Sequence, residues 1–576
     1  MAKILMTGNQ AVARGFWEAG GRVVASYPGT PSTEITENAV KYGEIHAEWS
    51  PNEKVAVEVA NGAAIAGARA MSCMKHVGVN VAADPLFTAS YIGVNGGLVI
   101  VSADDPGMHS SQNEQDNRNY AKAAKVPALE PADSGECKEF VKAALELSEE
   151  FDTPVMLRLT TRIAHSQSLV ETADREDVPV KPYEKQIAKN VMVPANAIRK
   201  HPKVEARTLA LAERAVNEKF NKIEWGSDKT MGIVASGAVY QYVKEVLPEV
   251  SVLKIGMPFP ICQDIVKEFA AGVDRLIVIE ELDPFIETAI RDMGIAVEGK
   301  NLFSKCGEIF AEDIDMILGD AGGKIDSQNK DVPVRPPVLC PGCPHRGVFY
   351  VLKQLGLVVS GDIGCYTLGA AAPLASIDTT VCMGASVSGA HGMEMARGKE
   401  FAKKTVAVIG DSTFIHSGIT GLINTVYNGG TTTTMILDNS ITAMTGHQQN
   451  PTTGKNCGGE PANAVDLVAL CKACGVKRVR EVDPFDIKEL KQILKEETAA
   501  EEASVIITRR PCILINRSAI KPALTINQDK CIQCGNCMKI GCPCIGKVDG
   551  KYQINDSQCV GCDLCTKLCP SGAIEK

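Results

Sequence analysis

The last 46 residues hold nine of the chain's 21 cysteines, and these cysteines repeat one spacing twice. In each copy, three cysteines are separated by two residues, and a further cysteine followed by proline comes shortly afterwards. This is the spacing that binds two 4Fe-4S clusters, in which each triplet takes its fourth ligand from the other copy. We therefore assign one cluster to Cys531, Cys534, Cys537 and Cys569, and the other to Cys559, Cys562, Cys565 and Cys542.

Zinc and disulfides explain this pattern less well. Zinc sites usually combine two CxxC pairs or mix Cys with His, whereas this array has eight cysteines and no histidine. The first copy has four residues before Cys542 where the standard spacing has three, so Cys544 is an alternative ligand. The extra residue leaves the identity of that ligand open without changing the number of clusters. The segment resembles the bacterial two-cluster ferredoxins.

At 576 residues the chain is too long for one hydrophobic core. Charged residues through about 171 to 229 end the first module, a Pro-rich segment over 332–337 precedes the third, and a polar stretch after Asn516 precedes the cysteine tail. We predict four domains, with residues 1–185, 186–330, 331–520 and 521–576.

Short Val/Ile-rich runs alternate with helical patterns along most of the chain, which indicates repeated βα units and parallel sheets. The fold class is therefore multidomain α/β. Most of these runs are followed by Gly, Asp or Pro, where such sheets carry their binding loops. The clearest predicted strands cover 22–25, 97–102, 231–235, 275–279, 405–409, 434–437 and 504–507.

Composition excludes several classes of function. The net charge of -9 and the pI of about 5.7 argue against a nucleic-acid-binding surface. We find no run of the ~18 apolar residues that a membrane helix needs. The apolar start of the chain ends at Gly8, too early for a signal-peptide core. We expect a cytoplasmic protein, where cysteine-rich segments stay reduced and bind metals.

Oxygen ligands follow two neighbouring predicted strands. Gly410, Asp411 and Ser412 come directly after one strand, and Asn439 comes 28 residues after Asp411, at the end of the next. The 28-residue step from Asp411 to Asn439 is long enough for one crossover helix and the next parallel strand, so both loops should lie at the same edge of the sheet. The Asp411 carboxylate, the Asn439 amide and the carbonyl of Ile441 suit Mg²⁺, which completes its shell with diphosphate. The pattern resembles the thiamine diphosphate motif of thiamine-dependent enzymes.

An Asn-Glu pair near the start of the chain supplies the complement of that motif. Glu53 is followed nine residues later by Gly62, in a helix of small residues. In thiamine enzymes a glutamate in this setting contacts N1′ of the aminopyrimidine, and sharing a proton there makes the 4′-amino group a base. The resemblance thus implies that Glu53 activates the cofactor. Glu58 is the nearest competitor, and a solvated charge at a helix N-terminus is the alternative interpretation of Glu53.

Four more cysteines lie at predicted sheet ends of the third domain. They could be buried inert thiols, or the first two could be a redox pair or half of a zinc site. Here the chain resembles the 2-oxoacid:ferredoxin oxidoreductases, which hold a 4Fe-4S cluster near thiamine by a CxxC, a Gly-Cys and a late Pro-Cys. The matching residues are Cys340, Cys343, Cys365 and Cys512.

The resemblance extends over nearly the whole chain. The loop over 27–33 looks like the family's YPxTPS loop, in which Thr30 matches the residue that meets the substrate carboxylate. The segment over 103–116, which contains His109, and the Met-Thr-Gly-His over 444–447 are similar to the alpha subunits of the family's indolepyruvate branch. The resemblance implies a thiamine pyrimidine-binding domain, a transketolase C-terminal-like domain, a thiamine diphosphate/Mg²⁺ domain and a ferredoxin domain, in this order.

The implied reaction is the oxidative decarboxylation of aryl 2-oxoacids, indolepyruvate first, with coenzyme A to aryl-acetyl-CoA and CO₂. Thr30 and His109 would handle the substrate, the third cluster would accept electrons, and the tail would pass them to ferredoxin. The resemblance also implies a smaller beta subunit in an α2β2 assembly. Phenylpyruvate or another 2-oxoacid is an alternative substrate. A non-oxidative thiamine-dependent decarboxylase would not need the cysteine tail, and a mere electron-carrier subunit would not need Glu53, Asp411 and Asn439.

Overall fold

The computed structural model describes residues 2–215, 219–319, 333 and 335–576. The chain forms two compact units, Met1–Val332 and Pro333–Lys576. Two members of the Pro-rich segment, Val332 and Val334, lie outside the described residues, as does the end of the second predicted domain after residue 319.

The first unit alternates strands and helices over most of its length. Its strands are β1 (Lys3–Thr7), β2 (Val23–Ser26), β3 (His46–Trp49), β4 (Ala70–Lys75), β5 (Leu98–Asp104), β6 (Ala128–Leu129), β7 (Val155–Thr160), β8 (Gln167–Glu171), β9 (Asn221–Glu224), β10 (Asp228–Ala235), β11 (Val250–Ile255) and β12 (Arg275–Ile279). Its helices are α1 (Gly8–Glu18), α2 (Thr33–Ala39), α3 (Glu53–Ile65), α4 (His76–Ile92), α5 (Arg118–Ala124), α6 (Ser134–Phe151), α7 (Thr161–His165), α8 (Ile187–Asn190), α9 (Pro194–Arg214), α10 (Gly237–Val246), α11 (Gln263–Ala271), α12 (Phe285–Asp292) and α13 (Ala311–Leu318).

A six-stranded parallel sheet organises the first half of this unit. Its strand order is β3-β2-β4-β5-β7-β6, and every neighbouring pair is parallel. Strands β4, β5 and β7 are buried at every residue, which is why their sequences are nearly continuous apolar runs. Loops at the carboxyl edge of such a sheet are the usual place for ligand sites.

A second, four-stranded sheet has the order β12-β10-β11-β9, with only β9 antiparallel to its neighbour. Phe140 of α6 contacts Phe220 edge to face, with ring centroids 5.7 Å apart. Both rings belong to one apolar cluster that also contains Leu253 of β11 in the second sheet and Phe269 of α11. One shared core includes residues from both sides of the predicted domain boundary between residues 185 and 186. That boundary therefore stays a prediction.

Helix α9 lies in the charged stretch over about 171 to 229, where the first module was predicted to end and where a linker was expected at the start of the 186–330 domain. Its basic side chains bind the last turn of α4, where carbonyl groups have no partner within the helix. Lys200 donates to the carbonyl of Ile92 at 3.0 Å, and Arg207 donates to the carbonyl of Ser90 at 3.0 Å. These bonds attach α9 to the parallel sheet's helical layer. Among the described residues, no helix combines the length and apolar character needed to cross a bilayer.

The second unit contains another parallel sheet and the cysteine tail. Its strands are β13 (Val358–Gly361), β14 (Thr379–Thr380), β15 (Thr405–Gly410), β16 (Thr433–Asp438), β17 (Arg478–Val482), β18 (Ser504–Arg509), β19 (Thr525–Ile526), β20 (Ile545–Val548), β21 (Lys551–Ile554) and β22 (Ile574–Glu575). Its helices are α14 (His345–Leu355), α15 (Ala385–Arg397), α16 (Lys399–Ala402), α17 (Asp411–Thr413), α18 (Ile419–Tyr427), α19 (Leu467–Ala473) and α20 (Ile487–Thr498).

The sheet of the second unit has the order β14-β13-β15-β16-β18-β17 and is parallel throughout. The tail adds two antiparallel pairs, β19 with β22 and β20 with β21. Apolar side chains of the tail, including Ile540 and Leu564, belong to the same buried cluster as Phe349 and Tyr366 of the sheet domain. The cysteine tail is therefore packed into the core of this unit.

A buried charge network joins the two sheets of the first unit. Arg118 donates to Asp116 Oδ2 at 2.6 Å, to Glu280 Oε2 at 2.8 Å and to the carbonyl oxygen of Glu281 at 3.0 Å. We predict that Arg118→Met lowers the free energy of unfolding by about 3–5 kcal/mol, because it leaves two buried carboxylates without their cation. Urea unfolding of the full chain, followed by intrinsic fluorescence, measures this.

The control is Arg275→Met, which breaks an exposed ion pair with Glu298. It should cost no more than about 1 kcal/mol, because water screens that pair. Equal losses in the two variants would contradict the role given to the buried network.

Candidate functional site

Glu53 is held at the carboxyl end of β3 by the start of α3. The side chain of Asn52 accepts a hydrogen bond from Val55 N at 2.9 Å, and this cap makes Glu53 the first residue of the helix. The Glu53 side chain is buried, with 6% of its surface exposed. A Cβ on Gly78, in the first turn of α4, would lie 2.7 Å from both Cγ and Oε1 of Glu53. A glycine at this position therefore makes room for the carboxyl group.

The competing carboxylate, Glu58, lies in different surroundings. It is exposed and forms an ion pair with Lys54 one turn away on the same helix. Such surface pairs are ordinary helix chemistry. The burial of Glu53 and the exposure of Glu58 favour Glu53 for a role that requires a site closed to water.

The loop that follows β5 meets the loop that contains Thr30. Ser110 Oγ donates a hydrogen bond to the carbonyl oxygen of Thr30 at 3.3 Å. The neighbouring His109 is half-exposed, and its Nε2 lies 2.9 Å from Glu308 Oε2. Thr30 and the His109 segment are thus brought together through Ser110. Next to them is a cavity of about 290 Å³ lined by His109, Thr161, Arg162, His165, Ser166 and Glu308.

Lys75 belongs to the same group of loops, although the sequence analysis did not select it. It is the last residue of β4 and donates hydrogen bonds to the carbonyl oxygen of Ser110 at 2.5 Å and to its Oγ at 3.2 Å. Burial lowers the pKa of Lys75 to about 8. An ionisable residue directly after an apolar strand run was the signal that could have revealed it.

Asp411 and Asn439 lie at one edge of the second unit's sheet. Gly410 of β15 pairs with Leu437 of β16, so the chain after each strand continues from the same edge. Asp411 is buried, and its Oδ2 accepts hydrogen bonds from Asn450 Nδ2 and Thr452 Oγ1, each at 3.1 Å. Ser412 Oγ accepts a hydrogen bond from Thr442 Oγ1 at 3.0 Å. A π-helical turn, Phe414–Gly418, follows directly, and such turns are frequent at functional sites.

The oxygen atoms at this edge fit a divalent cation. The terminal amide of Asn439 lies 3.2 Å from Asp411 Oδ1 and 2.7 Å from the carbonyl oxygen of Ile441. If the amide nitrogen faces these two acceptors, it donates a hydrogen bond to each of them. If the amide oxygen faces them instead, three oxygen atoms lie together, and a cation would bind all three. Burial, followed by the nearby charge of Asp438, raises the pKa of Asp411 to about 7. A bound Mg²⁺ would relieve this unfavourable burial of charge, and these are the ligands it prefers.

The structure brings the cysteines of the predicted third cluster into mutual electrostatic range. Burial, then the thiols of Cys512 and Cys340, raise the pKa of Cys365 to about 11. Burial, and more weakly Cys365 and Cys340, raise the pKa of Cys343 to about 12. Cys512 N also donates a hydrogen bond to the carbonyl oxygen of Asn439 at 2.9 Å. This cysteine set is therefore adjacent to the predicted metal loop.

In the tail, the first predicted ligand set lines one small cavity. Cys531, Cys534, Cys537 and Cys569 surround a cavity of about 20 Å³ together with Tyr552 and apolar side chains. The backbone N–H of Ala573 donates to Cys569 Sγ at 3.2 Å. Hydrogen bonds of this kind influence the reduction potential of an iron–sulfur cluster.

The second tail set is also grouped. Burial is the main cause of the raised pKa values of Cys562 and Cys565, and Cys542 and Cys559 both add to the effect. Cys544 is buried beside Cys542, which, after burial itself, is the largest influence on its raised pKa of about 12. Cys542 influences the pKa of both Cys562 and Cys565, which favours it as the fourth ligand, whereas Cys544 itself is influenced by Cys559 of the same set.

Within the described ranges, no three His, Cys, Asp or Glu side chains surround a single point as they would one metal ion. This is compatible with four-iron clusters, because each thiolate binds a different iron at a different corner of the cube. The proposed Mg²⁺ ligands do not form such a group of three either, because two of the three oxygens belong to the Asn439 amide and the Ile441 backbone carbonyl.

Arg346 connects the third cysteine set to the tail. Its buried guanidinium donates to the carbonyl oxygens of Cys340 at 2.9 Å and of Ile540 at 3.3 Å, and also to those of Leu339 and Gly541. One rigid cation therefore fixes the CxxC loop against the turn that leads to Cys542. No sequence pattern indicates this contact, because backbone carbonyl acceptors are present at every residue.

Comparisons with known proteins agree with this arrangement. Three family models match: "Pyruvate flavodoxin/ferredoxin oxidoreductase, thiamine diP-bdg" over residues 14–231, "Thiamine pyrophosphate enzyme, C-terminal TPP binding domain" over 362–508, and "4Fe-4S binding domain" over 552–575. The indolepyruvate oxidoreductase subunit IorA of Archaeoglobus fulgidus is 41% identical, and that of Pyrococcus horikoshii is 39% identical. Each alignment covers 100% of this chain and 97% of the relative.

The chain belongs to the IorA family of indolepyruvate oxidoreductase subunits. A solved 2-oxoglutarate:ferredoxin oxidoreductase from Magnetococcus marinus is similar over 54% of this chain and 64% of that one, with 19% identity and a TM-score of 0.47. Membership of the IorA family confirms three predictions: the fold class, thiamine diphosphate with iron–sulfur as cofactors, and an oxidoreductase of 2-oxoacids with an iron–sulfur acceptor. The individual site residues stay predictions.

Replacement of Cys542 should separate the two candidate ligands of the tail. We predict that Cys542→Ser alters or removes the electron paramagnetic resonance signal of one tail cluster and lowers bound iron by about one to four atoms per chain. Cys544→Ser, the matched control, should keep both signals. If Cys544→Ser loses the signal and Cys542→Ser keeps it, the assignment is reversed.

Removal of the Asp411 charge should weaken cofactor binding. We predict that Asp411→Asn lowers the affinity for thiamine diphosphate in the presence of Mg²⁺ by about 100-fold or more, since even outer ligands of a metal site contribute 10–100-fold. Isothermal titration of the chain with the cofactor measures this. Asp486→Asn, at the exposed N-terminal cap of helix α20, is the control and should bind normally. Normal binding by Asp411→Asn would contradict the site.

Proposed function

We propose that this IorA-family chain oxidises aryl 2-oxoacids, with indolepyruvate as the first candidate. In the balanced reaction, one 2-oxoacid anion, coenzyme A and two oxidised ferredoxins yield the aryl-acetyl-CoA, CO₂, one proton and two reduced ferredoxins. The names of the full-length relatives support the substrate. The observation that carries the mechanism is the hydrogen bond from Cys512 N to Asn439 O, because it joins a cysteine set to the predicted metal loop.

Thiamine diphosphate, when bound, supplies the nucleophilic carbon and the electron sink that decarboxylation requires. Glu53 would hold a proton at its carboxyl group and exchange it with N1′ of the aminopyrimidine. Burial against Gly78 suits this role, because the carboxyl group cannot turn freely into solvent. General acid–base catalysis of this kind contributes about 10²–10⁴-fold to a rate.

The loop atoms of the second unit would hold the cofactor's diphosphate through Mg²⁺. Asp411, Asn439 and the carbonyl of Ile441 are the proposed ligands, with Gly410 and Ser412 shaping the loop. Gly410 is needed because a Cβ there would lie 2.6 Å from the Tyr366 ring.

Three 4Fe-4S clusters would carry electrons away one at a time. Cys340, Cys343, Cys365 and Cys512 would hold the cluster next to the metal loop, and the two tail sets would hold the others. Iron–sulfur clusters suit this step because they accept single electrons at potentials that reach about -400 mV in ferredoxins. The shared core and Arg346 keep the three sets in one rigid unit.

Substrate handling falls to the loops around Thr30 and His109, which Ser110 joins. A smaller partner subunit and an α2β2 assembly complete the proposal. The subunit names of the relatives support a partner, and the 4Fe-4S match supports ferredoxin as the acceptor.

The Glu53→Gln variant tests the proposed function. Co-purified anaerobically with its partner, it should reduce viologen dye with indolepyruvate and coenzyme A about 10²–10⁴-fold more slowly than the unaltered enzyme. Its cluster spectra should be unchanged, because Glu53 binds no iron. Glu58→Gln is the matched control and should keep full activity. Retained turnover in Glu53→Gln would show that another carboxylate is used.

Two measurements on the unaltered enzyme test the proposed substrate and the proposed number of clusters. A panel of 2-oxoacids identifies the substrate, and the aryl compounds should give the highest kcat/KM. Iron analysis should give about twelve atoms per chain for three clusters. About eight would remove the cluster proposed at Cys340, Cys343, Cys365 and Cys512.

A further inference from the structure

Lys75 lies at the carboxyl edge of the first unit's parallel sheet. Its strand, β4, is between β2 and β5, and β2 leads directly into the loop that contains Thr30. A Cβ on Gly29 of that loop would lie 3.0 Å from Lys75 Cβ, so the two backbones are in close contact. Binding loops of parallel sheets gather at this edge.

The ammonium group of Lys75 is buried, and in the described part of the chain it forms no ion pair. The residue is 9% exposed, and its Nζ donates to the two oxygens of Ser110. Among the residues that the structure describes, no carboxylate lies within 4.0 Å of Nζ. Asp105 acts on it through space, but that carboxylate accepts its own hydrogen bonds from Ser110 N, Ser111 Oγ and Thr161 Oγ1.

Other buried cations of the same unit are neutralised directly. Each of the following contacts at least one carboxylate: Arg118, Arg158, Lys138 and Lys254. A buried charge without such a partner costs free energy unless something else binds it. An ammonium has three N–H donors, so Lys75 retains capacity for one more strong acceptor.

We infer that Lys75 is a substrate-binding residue whose ammonium pairs with the carboxylate of the 2-oxoacid. The inference rests on the proposed function and names a residue for it. The Ser110 hydroxyl accepts a hydrogen bond from the Lys75 ammonium and donates one to the carbonyl of Thr30, so all three groups belong to one hydrogen-bonded chain. The Lys75 charge would select an anionic 2-oxoacid over the corresponding neutral aldehyde. A coenzyme A phosphate is the other anion in the reaction, and the experiment below distinguishes the two.

The test uses Lys75→Met in the complete enzyme with its partner subunit. The KM for the 2-oxoacid should rise about 30-fold or more, the effect of losing one partner of a buried charge pair. The KM for coenzyme A should change less than about threefold, because only uniform binding of the oxoacid is lost. Lys75→Arg, which keeps the charge, should recover most of the loss.

A binding measurement that needs no turnover accompanies the kinetics. Isothermal titration with indole-3-lactate, an unreactive 2-hydroxyacid, should show an affinity loss of similar size in Lys75→Met. Lys254→Met is the matched control, since Lys254 is also buried, has a pKa lowered to about 8 and lies in the second sheet. It should bind indole-3-lactate like the unaltered enzyme.

Three outcomes would overturn the inference: an unchanged KM for the oxoacid in Lys75→Met, a raised KM for coenzyme A instead, or equal losses in Lys254→Met. If Lys75→Met does not fold by circular dichroism, Lys75→Gln takes its place in the same assays. Failure of the proposed function is distinguishable, because the unaltered enzyme would then turn over no 2-oxoacid at all.

Discussion

The carboxyl edges of the two six-stranded parallel sheets position most of the chemistry in this chain. Within a parallel sheet the strand backbones bond to one another, so the loops that leave the edge carry the free donors and acceptors. In the first unit, this edge presents Glu53, Lys75 and the loops of Thr30 and His109. In the second unit, it presents Asp411 and Asn439. The long apolar strands matter because they fix where these loops begin.

The second constraint is that the iron–sulfur tail is packed into its neighbour. Side chains of the tail share one apolar cluster with α14 and the 3₁₀ turn Cys365–Ala370. Arg346 adds a rigid link through backbone carbonyl groups on both sides. Electron transfer depends steeply on distance, so a tail on a flexible tether would serve poorly. The cysteine spacing and this packing therefore act together.

Buried charged side chains in the core form ion pairs, whereas those at the proposed binding sites do not. Arg118 and Arg158 are both buried among carboxylates, and Arg118 stabilises the contact between the two sheets through its ion pair with Glu280. Lys75 is buried against the hydroxyl and carbonyl oxygens of Ser110, and Asp411 is buried beside another carboxylate. Sites that bind ions keep such unfavourable charges because the ligand neutralises them. A charge buried without a contacting counter-charge thus suggests a substrate site at Lys75 in the first unit and a metal site at Asp411 in the second.

Sequence alone determined the features that depend on local spacing. The seven strands that were singled out all occur within two or three residues of their predicted limits, because a strand buried on both faces must be a continuous apolar run. The cysteine repeats, the Asp411 to Asn439 step and the Asn52-Glu53 pair are likewise readable as patterns. Only the tertiary structure decided which of Glu53 and Glu58 is buried, that α9 is a helix attached to α4, and that Lys75 and Arg346 have special surroundings. These facts depend on contacts between residues far apart in the chain, and such contacts leave no periodic signal in a single sequence.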